Sequence, residues 1–344
     1  MTPVEQRLKE RIRAEGPIPF ADFMEEALYG IGGYYNREDL AIGEEGDFVT
    51  GSSHSPLFAE VTARLLRRLD AVVDNAGGAD YLEVGYGNGL HLAALGRALD
   101  KTDRALLAWD RVRRPVPPGF ERIDDLGHAE VDGLVFSYEL FDALPVHRLI
   151  QRPEGLGEMW VGVSEGSDFE WRMGDLSSPE LMALPGHRLE EGQIADLAPG
   201  WRPLYRRLAE ALGRGLLVTF DYGFEVEKLL DTRVRRHGTL ACYRRHRVHR
   251  DPFVSVGEQD MTAHVDFSAL IEEGERAGLE TVVLSRQAAW LAALGLLGGL
   301  EERPAAERVA AMQLVDLEGM GEEIRVLVQA RGVDLPKVLP RELL

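Results

Sequence analysis

The apolar positions in the first part of the chain recur at the spacing of amphipathic helices. Pro17 and Pro19 end the first of these helices, and a glycine-rich loop at 30–55 separates the second from the third. The expected helices cover residues 4–14, 22–29 and 57–73. The pattern therefore predicts a helical N-terminal section over residues 1–75.

From residue 81 onward, short apolar runs replace this pattern, and helix-like stretches lie between or after them. Such alternation is typical of βαβ units, which build a parallel sheet. The expected strands lie at 81–85, 104–110, 133–138, 215–221, 280–284 and 324–330. The sequence thus predicts an α/β fold with a parallel sheet.

Two segments do not fit the alternation. The stretch 146–174 has weak strand character with turn signals, and it predicts a small antiparallel insertion. The stretch 223–266 is long, irregular and rich in Arg and His, and such a segment is usually functional or structured in a way that periodicity misses. The predicted organisation is a helical section at 1–75, a first core part at 76–145, an antiparallel insertion at 146–200 and a second core part at 201–344, which contains the Arg/His-rich insertion 223–266.

Composition narrows the classes of partner and compartment. The chain has 344 residues and a net charge of −19, so its surface repels nucleic acids and anionic membranes. We find neither an apolar window of about 18 residues nor a signal or transit peptide, and we expect a cytoplasmic protein. Cys242 is the only cysteine, which excludes an internal disulfide and favours a small apolar filler over a nucleophile. The sequence has no pair of Cys or His residues at metal-ligand spacing with supporting ligands, so we expect no structural zinc.

The strongest local signal is the glycine-rich stretch that follows the first expected strand. Glu83, Gly85, Gly87 and Gly89 form the pattern E-x-G-x-G-x-G, and a helical stretch begins behind it. An acid before the first glycine repels a pyrophosphate and favours a cationic or hydroxylated ligand. Asp110 ends the next apolar run, where a carboxylate can bind both ribose hydroxyls. Together these residues fit S-adenosylmethionine (SAM). The alternatives are a simple tight turn, a dinucleotide site, and a capping or surface role for Asp110.

A second candidate group follows the third strand. Glu139 and Asp142 are three positions apart, so one helical turn would place both on one face. Paired carboxylates can hold a guanidinium through bidentate hydrogen bonds, and they can accept a proton. The plainer interpretation is that Asp142 caps a short helix ahead of Pro145.

The stretch 233–250 contains seven arginines and three histidines. In so acidic a chain these side chains can pair with internal carboxylates. The alternative is a docking surface for an acidic partner.

Several strings in this order resemble the MidA-like family of SAM-dependent methyltransferases, whose mitochondrial member is an assembly factor for respiratory complex I. The strings are GYY at 33–35, GDFVT at 46–50, the loop after Glu83, ELFDALP at 139–145, DYG at 221–223, GTLACY at 238–243 with His246, GEQDMTAHVDF at 257–267 and GMGE at 319–322. The resemblance implies a class I, Rossmann-like methyltransferase fold with inserted segments, and methylation of a protein arginine.

The resemblance also implies roles for particular residues. Glu83 and the three glycines would form the SAM loop, and Glu139 and Asp142 would lie beside the methyl group as catalytic residues. From the N-terminal section, three residues would close over the cofactor: Asp47, Phe48 and Thr50.

The chain departs from the family pattern in three places. Tyr86 and Asn88 replace a proline and an arginine in the loop, Tyr138 replaces an asparagine, and residues 51–56 read GSSHSP where the family has a proline-glutamate-isoleucine-serine string. These changes keep two alternatives open. One is a small-molecule O- or N-methyltransferase. The other is a non-catalytic SAM-binding assembly protein that grips a partner through residues 233–250.

Overall fold

The structure is a computed structural model that describes residues 1–37, 50–99 and 104–344. The α-helices of these residues are α1 Pro3–Glu15, α2 Phe20–Tyr29, α3 Gly51–His54, α4 Pro56–Leu69, α5 Leu90–Ala98, α6 Arg202–Ala211, α7 Val226–Leu229, α8 Thr232–Arg235, α9 Phe267–Arg276, α10 Gln287–Ala293, α11 Ala305–Leu314, α12 Met320–Glu323 and α13 Leu335–Val338.

The strands of the same residues are β1 Ile18–Pro19, β2 Asp80–Val84, β3 Leu106–Trp109, β4 Glu121–Arg122, β5 Val131–Tyr138, β6 His147–Arg152, β7 Gly155–Val163, β8 Phe169–Gly174, β9 Ile194–Leu197, β10 Leu212–Phe224, β11 Ala241–Arg244, β12 Arg247–His249, β13 Asp260–Thr262, β14 Val265–Asp266, β15 Glu280–Arg286 and β16 Ile324–Arg331. Each apolar run that predicted a strand overlaps one of these strands.

The described residues form two compact units, and each unit is assembled from separate stretches of the chain. The first unit contains residues 1–37, 141–201 and 223–268. The second contains residues 50–99, 104–140, 202–222 and 269–344.

This division differs from the predicted domain boundaries, most clearly for the helical section at 1–75. Helices α1 and α2 belong to the first unit, whereas α4 belongs to the second. Phe58 of α4 packs edge-on against Phe136 of β5 and Phe220 of β10, with ring centroids 6.2 and 5.4 Å apart. Periodicity predicts that a helix has an apolar face, but it does not identify the surface that buries this face.

The second unit is built on one mixed sheet with the strand order β15-β16-β10-β5-β2-β3-β4. Strands β10, β5, β2, β3 and β4 run parallel to one another, while β16 pairs antiparallel with β10 and β15 pairs antiparallel with β16. The parallel strands β2 and β5 are almost wholly buried, as expected for a sheet covered on both faces. The predicted α/β fold class is confirmed.

The first unit contains two antiparallel sheets. Strands β1, β7, β6 and β9 are neighbours in this order, and β8 pairs with β7. Strands β6 to β9 lie where the sequence predicts an antiparallel insertion. The second sheet, β12-β11-β13, lies in the segment 223–266. This part of the segment is therefore structured in a way that periodicity misses, because strands of three or four residues are too short to show a period.

Cys242 lies on β11 and is fully buried among apolar side chains. Burial is the main cause that raises the pKa of its thiol to about 12, so the reactive thiolate is not formed at neutral pH. The residue is an apolar filler, as the sequence favours. A separate observation concerns membranes: among the described helices, none is long and apolar enough to cross one.

Candidate active site

The carboxyl ends of three neighbouring parallel strands bring most of the candidate residues together in the second unit. Val84, the last residue of β2, lies opposite Trp109 of β3 and Ser137 of β5. The N–H of Gly85 continues the ladder by donating to the Trp109 carbonyl at 2.8 Å. The loop after β2, Asp110 and Glu139 therefore follow at the same edge of the sheet, which is the edge where open α/β sheets bind ligands.

The loop between β2 and α5 depends on its glycines. Gly85, Gly87 and Gly89 have φ values of 79°, 54° and 73°, which is the left-handed region that other residues avoid. A Cβ atom on Gly85 would also lie 2.8 Å from the Leu140 side chain. The loop thus brings bare backbone to the sheet edge and leads directly into helix α5.

Asp110 holds this loop in place. One carboxylate oxygen accepts the Gly87 N–H at 2.9 Å, and the other accepts the Val112 N–H at 2.8 Å. Burial raises the pKa of Asp110, and the two backbone hydrogen bonds only partly oppose this. The sequence predicts a ribose ligand here, whereas the structure shows a loop anchor. The two functions are compatible, because each carboxylate oxygen can accept a second hydrogen bond.

Glu83 is buried and turned towards side chains behind the loop. Its Oε2 accepts hydrogen bonds from the Tyr81 hydroxyl and from His91 Nδ1, both at 2.7 Å. His91 Nε2 lies 3.4 Å from the Thr62 hydroxyl on α4. Glu83 and His91 thereby fasten β2 to α5 across the loop. Sequence reasoning missed His91; the only available signal was a histidine in the first turn of the helix that follows the glycines.

Replacing His91 with Phe is expected to destabilise the chain by about 2–4 kcal/mol, because it leaves the buried Glu83 carboxylate with one donor fewer. Urea unfolding measures this change. The matched control is His128→Phe, since the His128 side chain is 87% exposed. If the two variants unfold at the same urea concentration, Glu83 and His91 do not hold the loop as described.

Glu139 has an unusual backbone conformation directly after β5. Its φ is 49°, although it is not a glycine. Its N–H donates to the Phe220 carbonyl at 2.9 Å, and the next N–H, of Leu140, donates to the buried carboxylate of Asp221 at 3.2 Å. Strained residues of this kind persist when the surroundings fix them, and they cluster at functional sites.

This conformation corrects one step of the sequence argument. Residues 139–142 do not form a helical turn, because a residue with positive φ cannot continue a right-handed helix. Asp142 lies in the first unit, where it is 5% exposed and its carbonyl accepts the Ala263 N–H at 2.9 Å. No helix begins between residue 142 and β6, so Asp142 does not cap a short helix either.

Asp142 has acidic and phenolic neighbours in the first unit. The Tyr35 hydroxyl donates to Asp260 at 2.8 Å. Burial raises the pKa of Tyr35 well above its usual range, and the charges of Asp260 and Asp142 add to this shift. Two of the strings that carry the family resemblance, at 33–35 and 257–267, thus meet near Asp142.

Thr50 is the only residue of the predicted N-terminal closure that can be described, since Asp47 and Phe48 lie outside the described residues. Its hydroxyl lies 2.6 Å from the Ser53 hydroxyl at the start of α3. The next residue, Gly51, lies so close to Tyr138 that a Cβ atom at this position would overlap the Tyr138 hydroxyl. Thr50 therefore begins a short helix that packs beside the end of β5.

At two of the three places where the chain departs from the family pattern, the replacing side chains form internal hydrogen bonds. The Tyr138 hydroxyl donates to Gln287 at 2.7 Å, and the Tyr86 hydroxyl donates to the Arg114 carbonyl at 2.6 Å. Asn88 accepts the Leu90 N–H at 3.1 Å at the start of α5. The loop therefore keeps its shape without the usual proline and arginine.

These features fit SAM as a cofactor. A glycine loop brings bare backbone to the ligand edge, and the acid at the end of β3 keeps acceptor capacity for a hydroxyl. The backbone from Gly85 to Gly89 and the Asp110 carboxylate are the groups that would hold the cofactor, whereas Glu83, which the sequence also predicts as a cofactor residue, would support the loop from behind through Tyr81 and His91.

The match to a known family agrees with this site. The family model of S-adenosyl-L-methionine-dependent methyltransferases matches residues 89–285, more than half of the chain. The chain belongs to this family.

The solved structures give the same result. A protein from Burkholderia thailandensis that was solved bound to S-adenosylhomocysteine has a TM-score of 0.86 and 30% identity over 96% of this chain and 92% of that one. An uncharacterised protein from the same organism has a TM-score of 0.83 and 28% identity over 98% and 94%. The predicted Rossmann-like fold and the predicted cofactor are confirmed: the chain is a SAM-dependent methyltransferase.

The curated relatives carry a more specific description. The mitochondrial protein arginine methyltransferase NDUFAF7 of Mus musculus is 26% identical over 328 residues, which cover 82% of this chain and 72% of the mouse protein. Its homologue in Drosophila melanogaster is 25% identical over 338 residues, which cover 79% and 70%. The resemblance to the MidA-like family, which the sequence motifs carry, is confirmed.

Proposed function

We propose that this methyltransferase modifies an arginine side chain of a protein partner. The relatives that are named protein arginine methyltransferases support this acceptor, and about one aligned residue in four is identical between them and this chain. The observation that carries the proposal is Glu139, an acidic residue whose backbone is held in a strained conformation at the ligand edge of the sheet.

The chemistry of arginine explains why carboxylates are needed. Its guanidinium is always protonated in proteins and has no lone pair to offer until a proton leaves. When bound, the cofactor supplies an electrophilic methyl group on a sulfonium. Glu139 would pair with the guanidinium, orient one nitrogen and accept its proton. Orientation contributes strongly to the rate, because the nitrogen must point at the methyl carbon.

Asp142 follows Glu139 by three positions in the chain and is the second candidate catalytic residue. It is buried and lies beside Tyr35 and Asp260 within its own unit. We propose that Asp142 acts on the acceptor and not on the cofactor, since the proposed cofactor-binding residues are the loop and Asp110 of the second unit. Thr50, Asp47 and Phe48 remain proposed cofactor contacts.

The acceptor can be identified by mass spectrometry. The purified protein is incubated with SAM that carries a deuterated methyl group and with an extract of its own cells, and the extract is then digested. The account predicts labelled methylarginine in a peptide, and no label with a Glu139→Gln variant.

Two other results would contradict the proposal. Label in a small molecule alone identifies a metabolite O- or N-methyltransferase, and label on no acceptor supports the non-catalytic assembly protein. The cytoplasmic location is a separate proposal, and cell fractionation tests it.

A further inference from the structure

The stretch 233–250 keeps part of its positive charge uncompensated. Three of its arginines form ion pairs: Arg233 with Asp231 at 2.6 Å, Arg236 with Glu190 at 3.7 Å and Arg244 with Glu258 at 2.8 Å. For these three the expectation of internal pairing is correct. Among the described acids, none forms an ion pair with Arg235, Arg247 or Arg250.

Two of these arginines line a cavity of about 440 Å³ in the first unit. We call it the cationic cavity. Its polar lining consists of Arg235, Thr239, His249, Arg250 and His264, and no Asp or Glu of the described residues lines it. In a chain with a net charge of −19, a cavity without acidic lining has the opposite character to the surface as a whole.

The charge of Arg235 is held in a fixed position. Its guanidinium stacks on the Phe224 ring at 4.0 Å from the centroid, and Nη1 donates to the Lys228 carbonyl at 2.8 Å. A guanidinium that is already ordered loses less freedom when it binds a carboxylate.

The buried acid behind the cavity wall does not cancel this charge. Asp196 accepts the N–H groups of Thr239 and Leu240 at 2.6 and 2.8 Å, and it pairs with Arg148 at 2.8 Å. Its negative charge is therefore already compensated by Arg148.

The hairpin of β11 and β12 supplies a second, independent observation. Its two turn residues, Arg245 and His246, have φ values of 50° and 57°. Such two-residue turns normally use Asn and Gly, because both positions require positive φ. Here two bulky basic residues occupy them, and β12 then leads to His249 and Arg250 in the cavity wall. Strain retained at such a turn indicates a function.

We propose that the cationic cavity and its hairpin bind an acidic segment of the protein substrate. Arg235 and Arg250 would hold Asp or Glu carboxylates, and the exposed side chains of Val234 and Val248 would contact the aliphatic parts of the segment. The cavity volume is in the range of sites for ligands well above the size of a single phosphate. The inference rests on the proposed function in one respect, since it takes the occupant of the cavity to be a protein substrate.

Fluorescence anisotropy with a labelled oligoglutamate peptide tests the docking. The key variant is Arg250→Glu, because Arg250 is exposed and its loss should not affect folding. The matched control is Arg341→Glu, which changes an exposed arginine of the second unit. We expect the unchanged protein to bind the peptide, Arg250→Glu to bind at least about tenfold more weakly, and Arg341→Glu to bind within about twofold of the unchanged protein. Binding should also weaken as salt is added.

Three outcomes overturn the inference. The unchanged protein does not bind the peptide, or the two variants weaken peptide binding equally. In the third outcome, inorganic phosphate binds at Arg250 while the peptide does not. The last would identify a small-anion site. Failure of the proposed function has a separate signature, since the peptide can bind while no arginine is methylated. Conversely, if Arg250→Glu no longer binds the peptide but still methylates the arginine, the docking proposal is overturned and the proposed function stands.

Discussion

Replacing Gly87 with Val is expected to abolish binding of S-adenosylhomocysteine. Gly87 has a φ of 54°, and its N–H donates to Asp110. A non-glycine residue in this region costs about 1–2 kcal/mol, and a β-branched one costs more. The loop would relax to another conformation and lose its anchor. We expect affinity to fall at least about 100-fold. The readout is the rise in unfolding temperature that the ligand produces, which the variant should lose.

The matched control is Gly299→Val in the same unit. Gly299 has a φ of 71°, and no atom lies within 4 Å of the position of its missing Cβ. The control therefore carries similar backbone strain away from the loop. It should lower the unfolding temperature of the free protein but keep the rise produced by the ligand. If both variants keep this rise, the loop after β2 is not the cofactor site.

The second large effect is expected for Asp142→Asn. The amide is nearly the same size as the carboxylate, but it carries no charge and cannot accept the guanidinium proton. Loss of such a group typically lowers the rate by a factor of about 10²–10⁴. Affinity for S-adenosylhomocysteine should stay within a few-fold, because Asp142 is proposed to act on the acceptor. Initial rates of methyl transfer to the identified substrate measure the effect.

An exposed acid of the same unit provides the control for this variant. Asp22→Asn removes a carboxylate that pairs with Arg11 on the surface, and it should leave the rate unchanged. Loss of ligand binding in Asp142→Asn would show that its proposed role is wrong. An unchanged rate would exclude Asp142 from the chemistry.

The sheet and the loop were predictable because their signals are local. Buried parallel strands require apolar runs, so 133–138 and 215–221 lie within β5 and β10. The loop is equally visible, because only glycines tolerate its three positive φ angles. Nothing comparable marks β11 and β12, because strands of four and three residues are too short to show a period.

The contacts of the site were harder to predict because they join residues that the sequence keeps apart. The bond from His91 to Glu83 depends on how α5 turns back over β2. The two carboxylates at 139 and 142 suggested a helical turn by spacing alone. In the structure, the N–H groups of residues 139 and 140 instead donate to Phe220 and Asp221 of β10, and the backbone does not form a helical turn. Such tertiary bonds override local preference.

The most direct test of the account is a calorimetric titration of the unchanged protein with S-adenosylhomocysteine, the product of methyl transfer. The account predicts saturable binding with one molecule per chain. Absence of saturable heat up to about 1 mM ligand would contradict it, because binding weaker than this leaves less than about 4 kcal/mol of binding free energy for the cofactor.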